Sequence, residues 1–505
     1  MKNNACIQSL ECRQYCQALD LLSSQATVAP CEWPEQIEAQ AQDDSITIDM
    51  VAKHPELSAD ALKISLAQEL GRVLSAAEAI REQLTAPDNH LAIAYESAKE
   101  KFMARQSLWE QFANAAKSDR VLTDTEVRHY TMLLDSRLKQ ADRRLKQADI
   151  QPNTATYAQA IVDRETLSEY SLLFDENMDK TVTNLFVNAM TGRSTLIIGD
   201  KGIAKTQAAR FVSGAFSDDH EAKFVSGDGS MMKDELVGKM TLTEQNGATV
   251  TTFKRGILTE CMEQGIPLVI DEINLIDPAI IMRLQDILLR KPGDIITIQE
   301  DGGEQIVIKR GFCVFATANE ASVRYQSRAV LDPAFRDRFK VLPIEYPDGG
   351  TPIVDSSRPP LALTRLAYTY VTSESGVGSQ LVLPGAAKWL ASLAHASQQL
   401  YSKPARDVTG RLPGNSAANI IDDDEPRMSD CITPRKMVDI LKSVAEGLNP
   451  MTVAGGEGVQ GVVYDTIAAM QHRSDRLQMF EVIRMLHDLT DGPFDNDGLK
   501  KRLKV

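Results

Sequence analysis

The densest run of residues able to do chemistry in this chain is Gly199-Asp200-Lys201-Gly202-Ile203-Ala204-Lys205-Thr206, entered from the apolar stretch Thr195-Leu196-Ile197-Ile198. A buried strand, a glycine-bearing turn and a helix start follow one another, which is the layout of a loop that binds phosphate. Gly199 and Gly202 allow backbone angles that side chains forbid. Successive N–H groups can then turn onto a polyanion, and the helix start adds its positive end. Lys205 would reach the β- and γ-phosphates of a nucleotide, and Thr206 would hold magnesium. Ala204 stands where the second glycine of G-x-x-x-x-G-K-[ST] is expected. It is the smallest replacement and suits a helical first turn, so the site is expected to tolerate it. The bland alternative is a tight strand-to-helix turn with a surface lysine, and the residues downstream weigh against it.

Those residues begin at Leu268-Val269-Ile270-Asp271-Glu272, an apolar strand that ends in two carboxylates. Open α/β sheets bind ligands at the carboxyl ends of their strands. Asp271 would sit in the magnesium shell there, and Glu272 would orient and polarise an attacking water. The other reading is a strand leaving the core through an acidic turn. Phe312-Cys313-Val314-Phe315-Ala316 is a further apolar strand, closed by Thr317-Ala318-Asn319, and an asparagine at such an end can position the lytic water. Asp332-Pro333 starts a short helix that delivers Arg336 and Arg338. Either arginine could form a surface ion pair. The flanking motifs favour Arg338 as the one that completes a neighbouring subunit's site, with Arg336 the alternative.

The elements that must position these groups alternate between strand and helix from about 170 to 347. A helix around Asn177 to Met190 leads into the loop, Lys223 to Ser226 reads as a strand, and Thr241 to Phe253 as a hairpin turned at Asn246-Gly247. A helix begins at Asp277-Pro278, and Asp294 to Lys309 reads as a second hairpin. Upstream, Leu66, Leu70, Val73, Ala77, Ile80 and Leu84 mark one helix, and Leu91, Tyr95, Ala98, Phe102, Trp109, Phe112 and Ala116 a second whose stripe only Arg105 breaks. A third opens with the capping box Thr123-Asp124-Thr125-Glu126. Together these predict a separate all-α, coiled-coil-like arm over 1–155, closed by a polar linker at Gln151 to Thr156. Residues 356–505 read as a mainly helical region, with an amphipathic helix through Leu477 to Leu486. Its solvated acidic run is Asp422-Asp423-Asp424-Glu425, and Lys500 to Lys504 reads as a solubilising tail.

With 505 residues the chain is too long for one core. No run approaches the roughly 18 apolar residues of a membrane span. Met1 to Cys6 leads into no apolar signal region, which points to a cytoplasmic protein. Cys6, Cys12, Cys16 and Cys31 lack the spacing of common zinc sites and read as reduced thiols. A net charge of −15 argues against a protein that coats nucleic acid, although a local basic pore stays open.

The ordered set resembles the AAA+ ATPases, and within them the MoxR-like and dynein-related group. Gly199 to Thr206 looks like the Walker A motif, Leu268 to Glu272 like Walker B, and Ala316 to Asn319 like sensor 1. The hairpin near 294 to 309 looks like the insertion before sensor 1, and Arg338 in Asp-Arg-Phe like the arginine finger. Thr433-Pro434-Arg435 opens a helix that resembles sensor 2, which makes Arg435 a lid arginine for the γ-phosphate. The resemblance implies an α/β P-loop NTPase domain over 170–347 with a helical lid in 356–505. It further implies ATP and Mg2+ as cofactors, ATP hydrolysis to ADP and phosphate, and a hexameric ring that remodels or matures a protein client, such as one with a von Willebrand A-type domain. A nucleic-acid-acting motor of the same superfamily and a nucleotide-gated scaffold with little hydrolysis are the rival readings. Glu272, Asn319 and Arg338 argue against the scaffold, since a pure binder has no need of them.

Overall fold

The computed structural model describes residues 90–118, 122–227, 233–245, 248–319, 331–347, 361–371, 384–402, 428–445, 458–488 and 496–505. The expected helix through Leu66 to Leu84, the early cysteines Cys6, Cys12, Cys16 and Cys31, and the run Asp422 to Glu425 lie outside these residues. The chain divides into two units. One holds Lys101–Lys139 and Tyr170–Tyr346, and the other holds Gln140–Glu169 and Pro347–Val505 with the residues up to Glu100.

In the first unit the strands are β1 (Thr195–Gly199), β2 (Phe224–Ser226), β3 (Gly238–Gln245), β4 (Ala248–Arg255), β5 (Leu268–Asp271), β6 (Ile295–Ile298), β7 (Glu304–Val307), β8 (Val314–Ala318) and β9 (Lys340–Ile344). Five of them form one parallel sheet in the order β2-β5-β8-β1-β9. Parallel neighbours need crossover connections, and helices such as Lys205–Phe216, Ile257–Gln264 and Pro278–Leu288 lie between the strands in sequence. The central strands bury a run of apolar side chains, as strands covered on both faces do: Leu196, Leu268, Ile270, Val314 and Ala316 are all buried. The chain is thus an α/β fold of P-loop type. Its sheet order has a direct consequence for function. Since β5, β8 and β1 are consecutive parallel neighbours, the carboxyl ends that carry the three sequence motifs lie side by side.

Both expected hairpins are present. β3 and β4 pair antiparallel with Gln245 opposite Ala248, so only Asn246-Gly247 separates the strands, and β6 pairs β7 with Ile295 opposite Val307. Arg255 at the end of β4 links them. Its Nε donates to Glu263 at 2.7 Å and its Nη2 to Glu304, the first residue of β7, at 3.1 Å.

The helical arm departs from expectation. Residues 101–139 belong with the sheet, so the described part of 1–155 is not a unit of its own. Arg105, the one break in its helix's apolar stripe, gives the reason: its Nε donates to both carboxylate oxygens of Asp179 at 2.8 and 2.9 Å, and both residues are buried. Next to that pair, the Trp109 ring lies 4.6 Å from Phe174 and 5.0 Å from Phe211, and Phe112 lies 6.1 Å from Phe186. These rings cover the outer face of the helix Lys205–Phe216 that starts at the phosphate loop. The capping box is as expected, with Thr123 and Glu126 satisfying each other's N–H groups.

The second unit is helical. The expected linker at Gln151 to Thr156 is instead the start of a helix, Pro152–Tyr170, with proline at the first position where its missing N–H is harmless. Asp163 in this helix receives two bonds of 2.9 Å from Arg365 in the helix Leu361–Val371. Lys500 to Lys504, expected as a solubilising tail, falls largely within the helix Asn496–Leu503. Leu499 and Leu503 are buried there, and the Lys500 ammonium and Arg502 guanidinium lie over the rings of Phe480 and Tyr464, at 5.3 and 5.6 Å. Among the described residues no helix is long and apolar enough to cross a membrane.

Candidate nucleotide site

The loop after β1 makes its tight return because two residues accept left-handed backbone. Gly202 has φ +74°, as its type allows. Ala204 has φ +62° and ψ +26°, against the expectation that it would sit in a helical first turn. Its conformation is the one glycine would take without steric conflict, and alanine holds it at a cost of about 1–2 kcal/mol. Gly199 is required for a different reason: a Cβ there would lie 2.3 Å from the Ile344 carbonyl oxygen on β9.

Lys205 opens the helix Lys205–Phe216 and is buried. Its ammonium donates to the carbonyls of Gly199, at 2.8 Å, and Asp200, and to Oδ1 of Asn319 at 2.9 Å. Asn319 in turn donates from Nδ2 to Oε1 of Glu272 at 3.4 Å. A cation from the helix start after β1, an amide beyond β8 and a carboxylate beyond β5 are therefore linked through Asn319. Beside them, the Thr206 hydroxyl donates to Oδ1 of Asp271 at 2.6 Å.

Thr317 carries a role that the sequence did not assign. Its hydroxyl donates to the same Asp271 oxygen and accepts from the Glu272 N–H at 3.1 Å. Thr317 and Asn319 are two residues apart at a strand end, so strand geometry sends both toward one side, one to Asp271 and the other to Glu272. That spacing was the available signal. Glu272 itself takes a left-handed conformation, φ +50°, and leads into the short 3-10 turn Ile273–Leu275. Gly227 after β2 closes in on this bend, where a Cβ would lie 2.6 Å from the Asp271 carbonyl and 2.7 Å from that of Glu272.

The donor set fits a magnesium–nucleotide ligand. The Thr206 hydroxyl and the Asp271 carboxylate are hard oxygen donors within hydrogen-bond distance of each other, as magnesium prefers, and a buried lysine lies at the base of the glycine-bearing loop. Asp200, Lys201 and Ile203 complete that loop, with Ile203 buried. Three arginines were also expected to serve the site. Arg338 is half-buried and donates from Nη1 to the Gln285 carbonyl at 2.7 Å, near the end of the helix Pro278–Leu288. Arg336 is exposed. Arg435 is exposed near the start of the helix Pro434–Ala445 in the second unit.

Comparison with known proteins agrees with this geometry. Residues 194–339 match the AAA domain of the dynein-related subfamily, and this part of the chain is an AAA+ domain of that type. A protein of Bacillus subtilis (strain 168), YojN, described only as uncharacterized, is 29% identical over 203 residues, which is 40% of this chain and 64% of YojN. An uncharacterized protein of Staphylococcus saprophyticus is 30% identical over 177 residues, 34% of this chain and 64% of its own length. The matched region thus spans just under two thirds of each of these relatives. Among solved structures, NtrX from Brucella abortus in complex with ADP aligns at 13% identity over 74% of this chain and 76% of that one. Its TM-score is 0.34, a value at which superposition says nothing about shared architecture.

Proposed function

We propose that this chain binds ATP with magnesium and hydrolyses it to ADP and phosphate. The observation that carries the reading is the convergence on one spot of Lys205, Asn319 and Glu272 through direct hydrogen bonds, beside the Thr206–Asp271 pair. Lys205 is placed to neutralise the β- and γ-phosphates, and Thr206 and Asp271 to hold the metal, which when bound offsets charge on the phosphate oxygens. Glu272 takes a proton from water as the water oxygen bonds to the γ-phosphorus and the bond to the β,γ-bridging oxygen breaks. Asn319 fixes Glu272 and the water relative to one another. Arg338 is assigned the role of a finger acting on a neighbouring copy, and Arg435 that of the lid arginine. Both rest on the resemblance, as do the ring and a protein client of von Willebrand A type.

Steady-state hydrolysis and calorimetric binding test the proposal. Lys205→Ala should lose ATP binding, because it removes the charge facing the phosphates. Glu272→Gln should still bind ATP while its turnover falls about a hundredfold or more, since it keeps the hydrogen bond but cannot take the proton. Equal ATP affinity in wild type and Lys205→Ala would overturn the site. Stimulation of hydrolysis by DNA or RNA would move the reading to a nucleic-acid motor.

A further inference from the structure

Tyr346 lies just beyond β9, outside every motif that led to the site, and the residue is 3% exposed. Its hydroxyl donates to the carbonyl of Lys201 at 2.9 Å, in the middle of the phosphate loop. Strand pairing dictates this meeting. β9 runs parallel to β1 with Ile344 opposite Gly199, and the missing Cβ of Gly199 lets the two backbones close up. Two residues beyond each member of that pair lie Tyr346 and Lys201, which the hydrogen bond joins.

The bond constrains more than one oxygen. A trans peptide sends its C=O and N–H in opposite directions, so a carbonyl of Lys201 held toward Tyr346 turns the N–H of Gly202 to the other side. Left-handed backbone follows at Gly202 and again at Ala204. Turns between right- and left-handed backbone gather successive N–H groups into an anion-binding hollow. We propose that Tyr346 is a positioning residue for the phosphate loop, its hydroxyl acting through the Lys201 carbonyl to aim the Gly202 N–H at a nucleotide phosphate. The inference rests on the nucleotide reading above and adds to it a residue just beyond β9 that sets the geometry of the loop.

An N–H that grips a phosphate equally before and during reaction contributes uniform binding. Its loss raises KM and leaves kcat alone, the reverse of what Glu272→Gln does. Tyr346→Phe in the full-length chain keeps the ring and removes only the hydroxyl. The KM for ATP should rise about three- to tenfold, the range of one net hydrogen bond, with kcat within about twofold of wild type. Hydrogen exchange, measured without added nucleotide, should quicken at amides 199–206 and stay unchanged in β8, which separates local loosening from general destabilisation.

Unchanged exchange in the loop overturns the proposal, and so does a drop in kcat at constant KM, which would place the hydroxyl at the reacting atoms. If wild type neither binds nor hydrolyses ATP while the loop still responds to Tyr346→Phe, the nucleotide reading has failed. An unresponsive loop in a protein that does hydrolyse ATP is a failure of the Tyr346 assignment alone.

Discussion

Arg105 and Asp179, 74 residues apart, form a buried two-pronged ion pair that fastens an N-terminal helix to the helix leading into the phosphate loop. Breaking such a pair from one side leaves a charge without its partner in a poorly solvated place, at a cost of about 3–5 kcal/mol. Arg105→Ala should therefore lower stability by that order in urea titration. A chain beginning near Asp175 lacks Arg105, Trp109, Phe112 and Phe174 together, and it should be insoluble or unfolded. A soluble, cooperatively folding fragment from Asp175 would refute the view that these helices belong to the nucleotide unit.

Ala204 offers a gain of stability by a single change. Glycine at φ +62° relieves roughly 1–2 kcal/mol of steric cost but adds about 0.4–1 kcal/mol of unfolded-chain entropy. The net for Ala204→Gly is a stabilisation of up to about 1.6 kcal/mol, centred on about 0.8 kcal/mol, to be read as a higher urea midpoint at unchanged slope. A lower midpoint would mean that the Ala204 methyl makes contacts worth more than the strain.

Arg338 and Arg336 can be told apart by mixing subunits. Arg338→Ala keeps an intact phosphate loop, and Lys205→Ala keeps an intact finger, so mixed oligomers should regain ATPase activity that neither variant has alone. Arg338→Ala should also cost about 1 kcal/mol through its lost bond to the Gln285 carbonyl. Demonstrated mixed oligomers without recovered activity would exclude Arg338 as a trans residue. Inactivity of Arg336→Ala with rescue by mixing would transfer the role to that exposed arginine.

Two thiols in the sheet unit should be chemically silent. Burial pushes the Cys261 thiol up to about 12, and burial raises Cys313 well above its usual value. Since only the thiolate alkylates readily, iodoacetamide at pH 8 should spare both in the native protein and label both in urea, as peptide mass spectrometry would reveal. Native labelling at either position would mean that the base of the sheet opens.

Acid should weaken one turn in a defined window. The Ser217 hydroxyl and the Glu221 N–H donate to Asp219 and bring its carboxyl down from 3.8 to about 2. A lowered folded value means stability that is full above the unfolded value near 4 and is lost as pH falls toward 2. The gap in urea midpoint between wild type and Asp219→Asn should be widest at pH 5–6 and narrow below about 4. A gap that stays constant down to the acid limit would show that the carboxylate charge is not what the turn uses.

The local chemistry was legible in short stretches of residues. Glycines, lysine and threonine at fixed spacing defined the loop, two carboxylates ended an apolar strand, and Asn319 ended another, because strand and turn preferences act over a few residues. The capping box at Thr123 and the hairpin of β3 and β4 were legible for the same reason. How those pieces meet depends on strand order. Placing β8 between β5 and β1 is what lets Asn319 touch both Lys205 and Glu272 and lets Thr317 serve Asp271. Arg105 read as a flaw in an apolar stripe because its partner lies 74 residues away. The left-handed backbone of Ala204 was hidden by a residue type that seldom adopts it, and the role of Tyr346 by a bond reaching across 145 residues. In each case the deciding contact is set by which strands and helices pack together, a property that no short window of residues contains.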